Sequence, residues 1–234
     1  MSNLNRQEIL EMYKDLRVTD VRDGMDWCGY HHYGSVHHSI KGIWQTHAIG
    51  FARTARYVPY EGPLPKVTGD EYTEWSNWYY GNVCTDKWAD DIIPGDFIAL
   101  DVCGIDVGLL GSNNTLHCTN KGAVGFLLNG GGVRDTDEVI LQKIPVYTGF
   151  ISQGMDQARI RYIEKNIPIA IGGVAIYPED LIVADNDGVI VVPQKLIYDV
   201  HKYAYRELKN DRVARRNLYE AGGRELDETV DLMK

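Results

Sequence analysis

The 234-residue sequence predicts an α/β fold, and three observations point there. A strand pattern over residues 97–102 passes through a glycine-rich loop and a helical stretch into a second apolar run at 123–128. The half of the chain that follows is dense in short strand patterns, and both ends are helical. Strand, loop, helix, strand in this order is a βαβ unit, which implies parallel strands with the crossover helix on one face.

Residues 5–16 have helical spacing, with Ile9, Leu10, Met12, Tyr13 and Leu16 on one side. A second helix is expected over 18–25, with Thr19 or Asp20 as its N-cap. The reading then turns to strands over 40–57, where Ile43, His47, Ile49 and an apolar run are bounded by Gly42 and Pro59. Pro63 and Pro65 mark a loop. Residues 69–93 carry Tyr72, Trp75, Trp78, Tyr79, Tyr80 and Trp88, at a spacing that suits a helix packed over something. Stacking on a sugar or base is conceivable there, but aromatics buried in a covering helix or subunit interface are commoner.

Pro94-Gly95-Asp96 is a turn into the strand at 97–102. The loop Gly104 to Gly111 leads to Ser112 as N-cap of the crossover helix, which Gly122 stops. Strands are expected at 144–150, 159–163, 167–177 and 181–192, the last folded at the tight-turn signal Asn186-Asp187-Gly188. Residues 194–219 are helical and charged. No composition shift divides the chain, so it is read as one domain over 1–234.

Hydrophobic residues at 44% allow a full core, and the net charge of -9 argues against a general nucleic-acid binder, which needs clustered Lys and Arg. An anionic ligand must therefore be caught by local charge. Cys28, Cys84, Cys103 and Cys118 form no CxxC pair, and no signal-peptide-like run opens the sequence. A reduced, cytoplasmic setting is expected, with the thiols as core fillers. No window reaches the roughly 20 apolar residues of a membrane span.

Local charge is found at Asn129 to Asp135, where Gly130, Gly131 and Gly132 directly follow a buried strand and precede Arg134 and Asp135. Glycines let backbone N–H groups approach an anion. Arg134 offers a planar fork for a carboxylate, and Asp135 a hard oxygen ligand for Mg²⁺. Against this, Asp135 with Glu138 looks like a helix N-cap arrangement, and Arg134 could pair with a surface carboxylate. The residues alone leave both readings open, although a cap does not explain three glycines. The loop ending at Gly111 leads into a helix N-terminus that attracts anions, and both loops are expected at the carboxyl edge of the sheet, where such folds bind ligands.

The histidine pairs His31-His32 and His37-His38 lack carboxylates or thiolates at metal spacing, and adjacent residues on an extended segment point apart. They read as a solvated or interface loop. His47 and His117 are expected to be packed and hydrogen-bonded, and His201 exposed. GxSxG occurs nowhere, so a nucleophile elbow is absent.

The chain resembles the RraA-like family, which includes class II 4-hydroxy-4-methyl-2-oxoglutarate aldolases and RNase E regulators. The resemblance is carried by Gly122-Ala123-Val124-Gly125-Phe126 leading through Gly130 to Val133-Arg134-Asp135. Pro145-Val146-Tyr147, Gly172-Gly173-Val174 and the run from Pro178 to Val189 reinforce it, and the region from Val18 to Gly29 matches loosely. It implies a compact α/β/β sandwich with N- and C-terminal helices, assembled as a homotrimer or doubled to a homohexamer. It also implies that Arg134 binds the pyruvyl part of a small anionic 2-oxo acid, that Asp135 helps hold Mg²⁺ or Mn²⁺, and that amides of Gly111, Ser112, Asn113 and Asn114 bind the substrate carboxylate.

The expected activity is a metal-dependent lyase, acting as an aldolase and oxaloacetate-type decarboxylase through a pyruvate-type enolate. A non-catalytic regulatory binding protein and a lyase, hydrolase or isomerase of a sugar-derived acid are the alternatives. This chain departs from the family at Ser112, where many members are acidic, and in an aromatic insertion at about 69–93 and the His-rich loop. The general acid/base is not legible.

Overall fold

The computed structural model describes residues 5–230. Its centre is an eight-stranded sheet. The parallel part runs β2 (Ala48–Pro59), β3 (Asp96–Asp101), β4 (Ala123–Leu128) and β5 (Val146–Thr148), side by side. The helix α4 (Ser112–Asn120) crosses from β3 to β4, and α5 (Thr136–Leu141) from β4 to β5. The βαβ unit read from the sequence is therefore present and is followed by a second one.

Antiparallel strands extend both flanks. The short β1 (Lys41–Gly42) pairs with β5 on one side. On the other, β9 (Leu181–Asp185) pairs with Ala48–Phe51 of β2 and folds back as β10 (Gly188–Val192). The turn between them is at Asn186-Asp187, as expected. The far half of β2 pairs instead with β6 (Ile160–Lys165), with an irregularity between Arg56 and Tyr57. A hairpin of β7 (Ile169–Ile171) and β8 (Val174–Ile176) stands off the sheet.

The alternation of side chains along each strand sorts them into two layers. Ala52, Phe97, Leu127, Tyr147, Ile182 and Val191, from strands across the whole sheet, meet in one cluster beneath the β7–β8 hairpin. Such a cluster requires a curled, nearly closed sheet. The residues between them face out to helices. Ile98, Leu100, Phe126 and Leu128 pack beneath α3 (Asp70–Asn82), the 3₁₀ turn Lys87–Asp91, α4 and α5. Phe51, Leu181, Val183 and Ile190 pack beneath α1 (Arg6–Tyr13), α2 (Val18–Trp27) and α6 (Ile197–Ala221). The N- and C-terminal helices thus share one patch of the sheet, and α3 to α5 cover the neighbouring one.

Local details correct several expectations. The N-cap of α2 is Arg17, and Asp20 sits at the third helical position, where its carboxylate accepts from the Arg17 backbone N–H at 2.9 Å. Asp20 is buried because its carboxylate, accepting both from the Arg17 N–H and from the Arg17 guanidinium folded onto it, closes the helix start. Gly111, with Ser112 as first helical residue, is the N-cap of α4. The rings of His37 and His38 lie 4.1 Å apart because the segment turns instead of running extended. His201 is half-buried between Tyr13 and Tyr205, whereas His47 and His117 are exposed. His47 still holds the Leu16 carbonyl at 3.0 Å. Cys84 and Cys118 are buried as expected, but Cys103 is exposed.

Candidate functional site

The two loops expected at one sheet edge lie directly against each other. Leu110 N–H donates to Gly132 O at 2.7 Å and Arg134 N–H to Leu110 O at 2.9 Å, so the loops continue the parallel pairing of β3 and β4 beyond the strands. A third loop, 150–159, joins them through Ser152 N–H to Val133 O at 3.0 Å and Gly108 N–H to Gly154 O at 2.8 Å. Close approach explains the glycines: a Cβ on Gly130, whose φ is +95°, would lie 2.4 Å from the Gly104 backbone.

Asp135 occupies the N-cap position of α5 with φ 55° and ψ 41°, the left-handed region, and its side chain makes no cap to that helix. The carboxylate turns the other way and accepts from Ser112 N–H, the first amide of α4, at 3.4 Å. A non-glycine residue held there costs about 1–3 kcal/mol, a strain that concentrates at functional sites. Arg134 lays its alkyl stem over Gly108, where a Cβ would meet its Cδ at 2.8 Å, and its Nε is 3.8 Å from Asp135 Oδ1. Gly111 in turn leaves just enough room for the Asp135 carboxylate.

Arg134 and Asp135 open onto a cavity of about 390 Å³. Gly111, Asn113 and Asn114 also line it, while Ser112 contributes its amide to Asp135 and not to the wall. The remaining lining was not legible in the sequence: Tyr80, Cys84 and Asp86 come from the end of α3 and the segment after it, and Met155 and Asp156 from the third loop. Asp156 is buried, accepts from the Tyr80 hydroxyl at 2.6 Å and from the Cys84 thiol at 3.1 Å. Burial pushes the Asp86 carboxyl up to about 6, against the opposing effect of the Tyr57 hydroxyl donating to it at 2.9 Å. Burial first, and then the Asp156 charge, also raise the Tyr80 hydroxyl and the Cys84 thiol.

Three carboxylates, Asp86, Asp135 and Asp156, against the single guanidinium of Arg134 make the wall acidic. Such oxygen donors suit a hard divalent cation, which takes one or two carboxylates and keeps several waters. Among the described residues no three His, Cys, Asp or Glu side chains converge as a complete protein cage. The residues therefore fit a hydrated Mg²⁺ or Mn²⁺ resting on Asp135, and not a closed structural site. The α4 N-terminus and Arg134 supply the positive counterpart for a carboxylate. No helix among the described residues is long and apolar enough to cross a membrane.

Comparison with known proteins agrees with this architecture. The protein DlpA of Legionella pneumophila is 26% identical over 194 residues, covering 82% of this chain and 28% of that protein. A Halalkalibacterium halodurans protein named "Putative 4-hydroxy-4-methyl-2-oxoglutarate aldolase" is 31% identical over 125 residues, 53% of this chain and 58% of its own. The chain thus spans less than two thirds of either relative. The crystal structure of RraAS2 from Streptomyces coelicolor, described as an unusual member of the RNase ES inhibitor RraA protein family, superposes with a TM-score of 0.70 at 20% identity. That match covers 89% of this chain and 96% of the other. A family model described as RraA-like, Aldolase/RraA, matches residues 18–191, and the chain belongs to the RraA-like family.

Proposed function

We propose that this protein is a divalent-metal-dependent lyase that cleaves a carbon–carbon bond in a small 2-oxo acid through a pyruvate-type enolate. The observation that carries the reading is the strained Asp135, turned away from its own helix into a cavity beside Arg134. Family membership and the aldolase-named relative support it.

In this reading the substrate carboxylate lies at the α4 N-terminus, against the amides around Gly111 to Asn114, and the Arg134 guanidinium holds the 2-oxo group. Bond cleavage drives electrons onto the carbonyl oxygen, and a cation fixed beside it lowers the barrier. When bound on Asp135, Mg²⁺ or Mn²⁺ would supply Lewis-acid stabilisation of that same charge. Aldol cleavage and oxaloacetate decarboxylation both pass through the enolate, so one arrangement serves both. Asn113 and Asn114, in the cavity wall, would orient the acid.

The whole chain is taken as one RraA-like domain with the aromatic segment 69–93 as an addition, working as a homotrimer or homohexamer, which sedimentation measures. The functional test is pyruvate release from 4-hydroxy-4-methyl-2-oxoglutarate and from oxaloacetate, after chelation and after Mg²⁺ or Mn²⁺ is restored. Arg134→Ala and Asp135→Ala are expected to abolish metal-restored turnover while the assembly stays intact. Parent-like rates in either variant refute the site, and no turnover by the parent protein leaves a binding role in place of the lyase.

A further inference from the structure

The lyase reading leaves the proton steps without an owner, and the same cavity wall holds a buried carboxylate, Asp156. Asp156 is 5% exposed, yet no cation pairs with it among the described residues. Its two oxygens are instead taken by a phenol and a thiol: Tyr80 Oη donates to Oδ1 at 2.6 Å, and Cys84 Sγ to Oδ2 at 3.1 Å. All three side chains line the same cavity as Arg134 and Asp135.

The loop is also held to α3 by a contact that does not use the carboxylate. The neighbouring Tyr79 pins α3 to this loop through its hydroxyl, which donates to the backbone carbonyls of Asp156, at 3.0 Å, and of Ile160. Burying a carboxylate with no cation beside it is unfavourable, even with both oxygens hydrogen-bonded. Tyr80 is 37% exposed and lines the cavity, and its hydroxyl proton points at Asp156.

We propose that Tyr80 and Asp156 form the proton relay of this lyase, with Tyr80 touching the substrate hydroxyl and Asp156 storing the proton behind it. The Tyr80 oxygen takes the proton of the substrate's 4-hydroxyl as its own proton passes to Asp156 Oδ1. The C3–C4 electron pair moves into the enolate of the 2-oxo acid, and C4 leaves as a carbonyl. The stored proton then returns through Tyr80 to C3 of the enolate, giving pyruvate and restoring the Asp156 carboxylate. Cys84 fixes the carboxylate orientation and takes no proton. This rests on the lyase reading above.

Loss of carbon dioxide from oxaloacetate needs no proton taken from a hydroxyl, and that separates the relay from the rest of the site. Tyr80→Phe and Asp156→Asn are compared with the parent protein on 4-hydroxy-4-methyl-2-oxoglutarate and on oxaloacetate, with Mg²⁺ or Mn²⁺ present. In both variants the kcat for aldol cleavage is expected to fall by about 100-fold or more, the usual contribution of a positioned acid/base. Carbon dioxide release from oxaloacetate, which precedes protonation at C3, falls much less than aldol cleavage does. Parent-like aldol cleavage in Tyr80→Phe, or an equal loss on both substrates, overturns the relay. If Asp156→Asn does not fold, Tyr80→Phe decides alone, because removing the hydroxyl leaves the ring and its packing in place. If the parent protein releases pyruvate from neither substrate, the lyase reading falls and takes the relay with it.

Discussion

Replacing Gly111 by alanine separates the site from the stability of the fold. The backbone at Gly111 has φ −112° and ψ −177°, extended geometry open to any residue, so the substitution adds no backbone strain. The added Cβ would lie 2.4 Å from Asp135 Oδ2, while its next neighbours, Asp135 Cγ at 3.5 Å and Arg134 Nε at 3.8 Å, are ordinary contacts. Only the carboxylate tip has to move, by about 1 Å. A catalytic group displaced that far costs on the order of 100-fold in rate, or about 2.7 kcal/mol of barrier. Stability changes less: alanine is a poorer N-cap than glycine, by about 0.5–1 kcal/mol, and restricts the unfolded chain by a similar amount in the opposite sense. Thermal unfolding should therefore shift by at most about 4 °C while metal-restored pyruvate release drops about 100-fold. A Gly111→Ala protein that turns over at the parent rate refutes the role given to the position of Asp135.

Two further predictions concern charges outside that contact. Asp96 is fully buried and holds Arg6 and Arg53, the latter through Nε at 2.9 Å, together with the Ile93 N–H. Asp96→Ala leaves the largely buried Arg53 without a carboxylate partner and Arg6 with Glu179 alone, and should destabilise the protein by about 3–5 kcal/mol in urea unfolding; a loss below about 1 kcal/mol contradicts this. For Asp86 the folded-state value of about 6 lies above the usual 3.8, so its protonated form favours the native state. That contribution is full below about pH 4 and is lost as pH rises through about 6, to a limit of about 3 kcal/mol. The stability of the parent minus that of Asp86→Asn should accordingly fall between pH 4 and 7, and a flat difference would mean that Asp86 is not held in a desolvated place.

The strands and crossover helices were legible because their signals are local. The apolar run 97–102, bounded by a turn and a glycine loop, announces β3, and Gly122 announces the end of α4. Errors fell where a neighbour competes. Asp20 looked like a cap residue and instead serves the third helical position, because Arg17 folds onto it. His201 looked exposed on a charged helix and is covered by Tyr13 from the other end of the chain.

For the candidate site the division is similar. Chain order alone places Arg134 and Asp135 after a buried strand, beside the loop ending at Gly111, since consecutive parallel strands carry their following loops to one edge. Whether Asp135 caps its own helix or faces a cavity was decided by tertiary structure: the close approach of two loops holds it at positive φ and points it at Ser112. Tyr80 and Asp156 meet across 76 residues of chain, and Cys84 and Asp156 across 72. Periodicity carries no trace of a contact at that separation, because only the packing of α3 against the loop at 150–159 brings the hydroxyl, the thiol and the carboxylate to one wall.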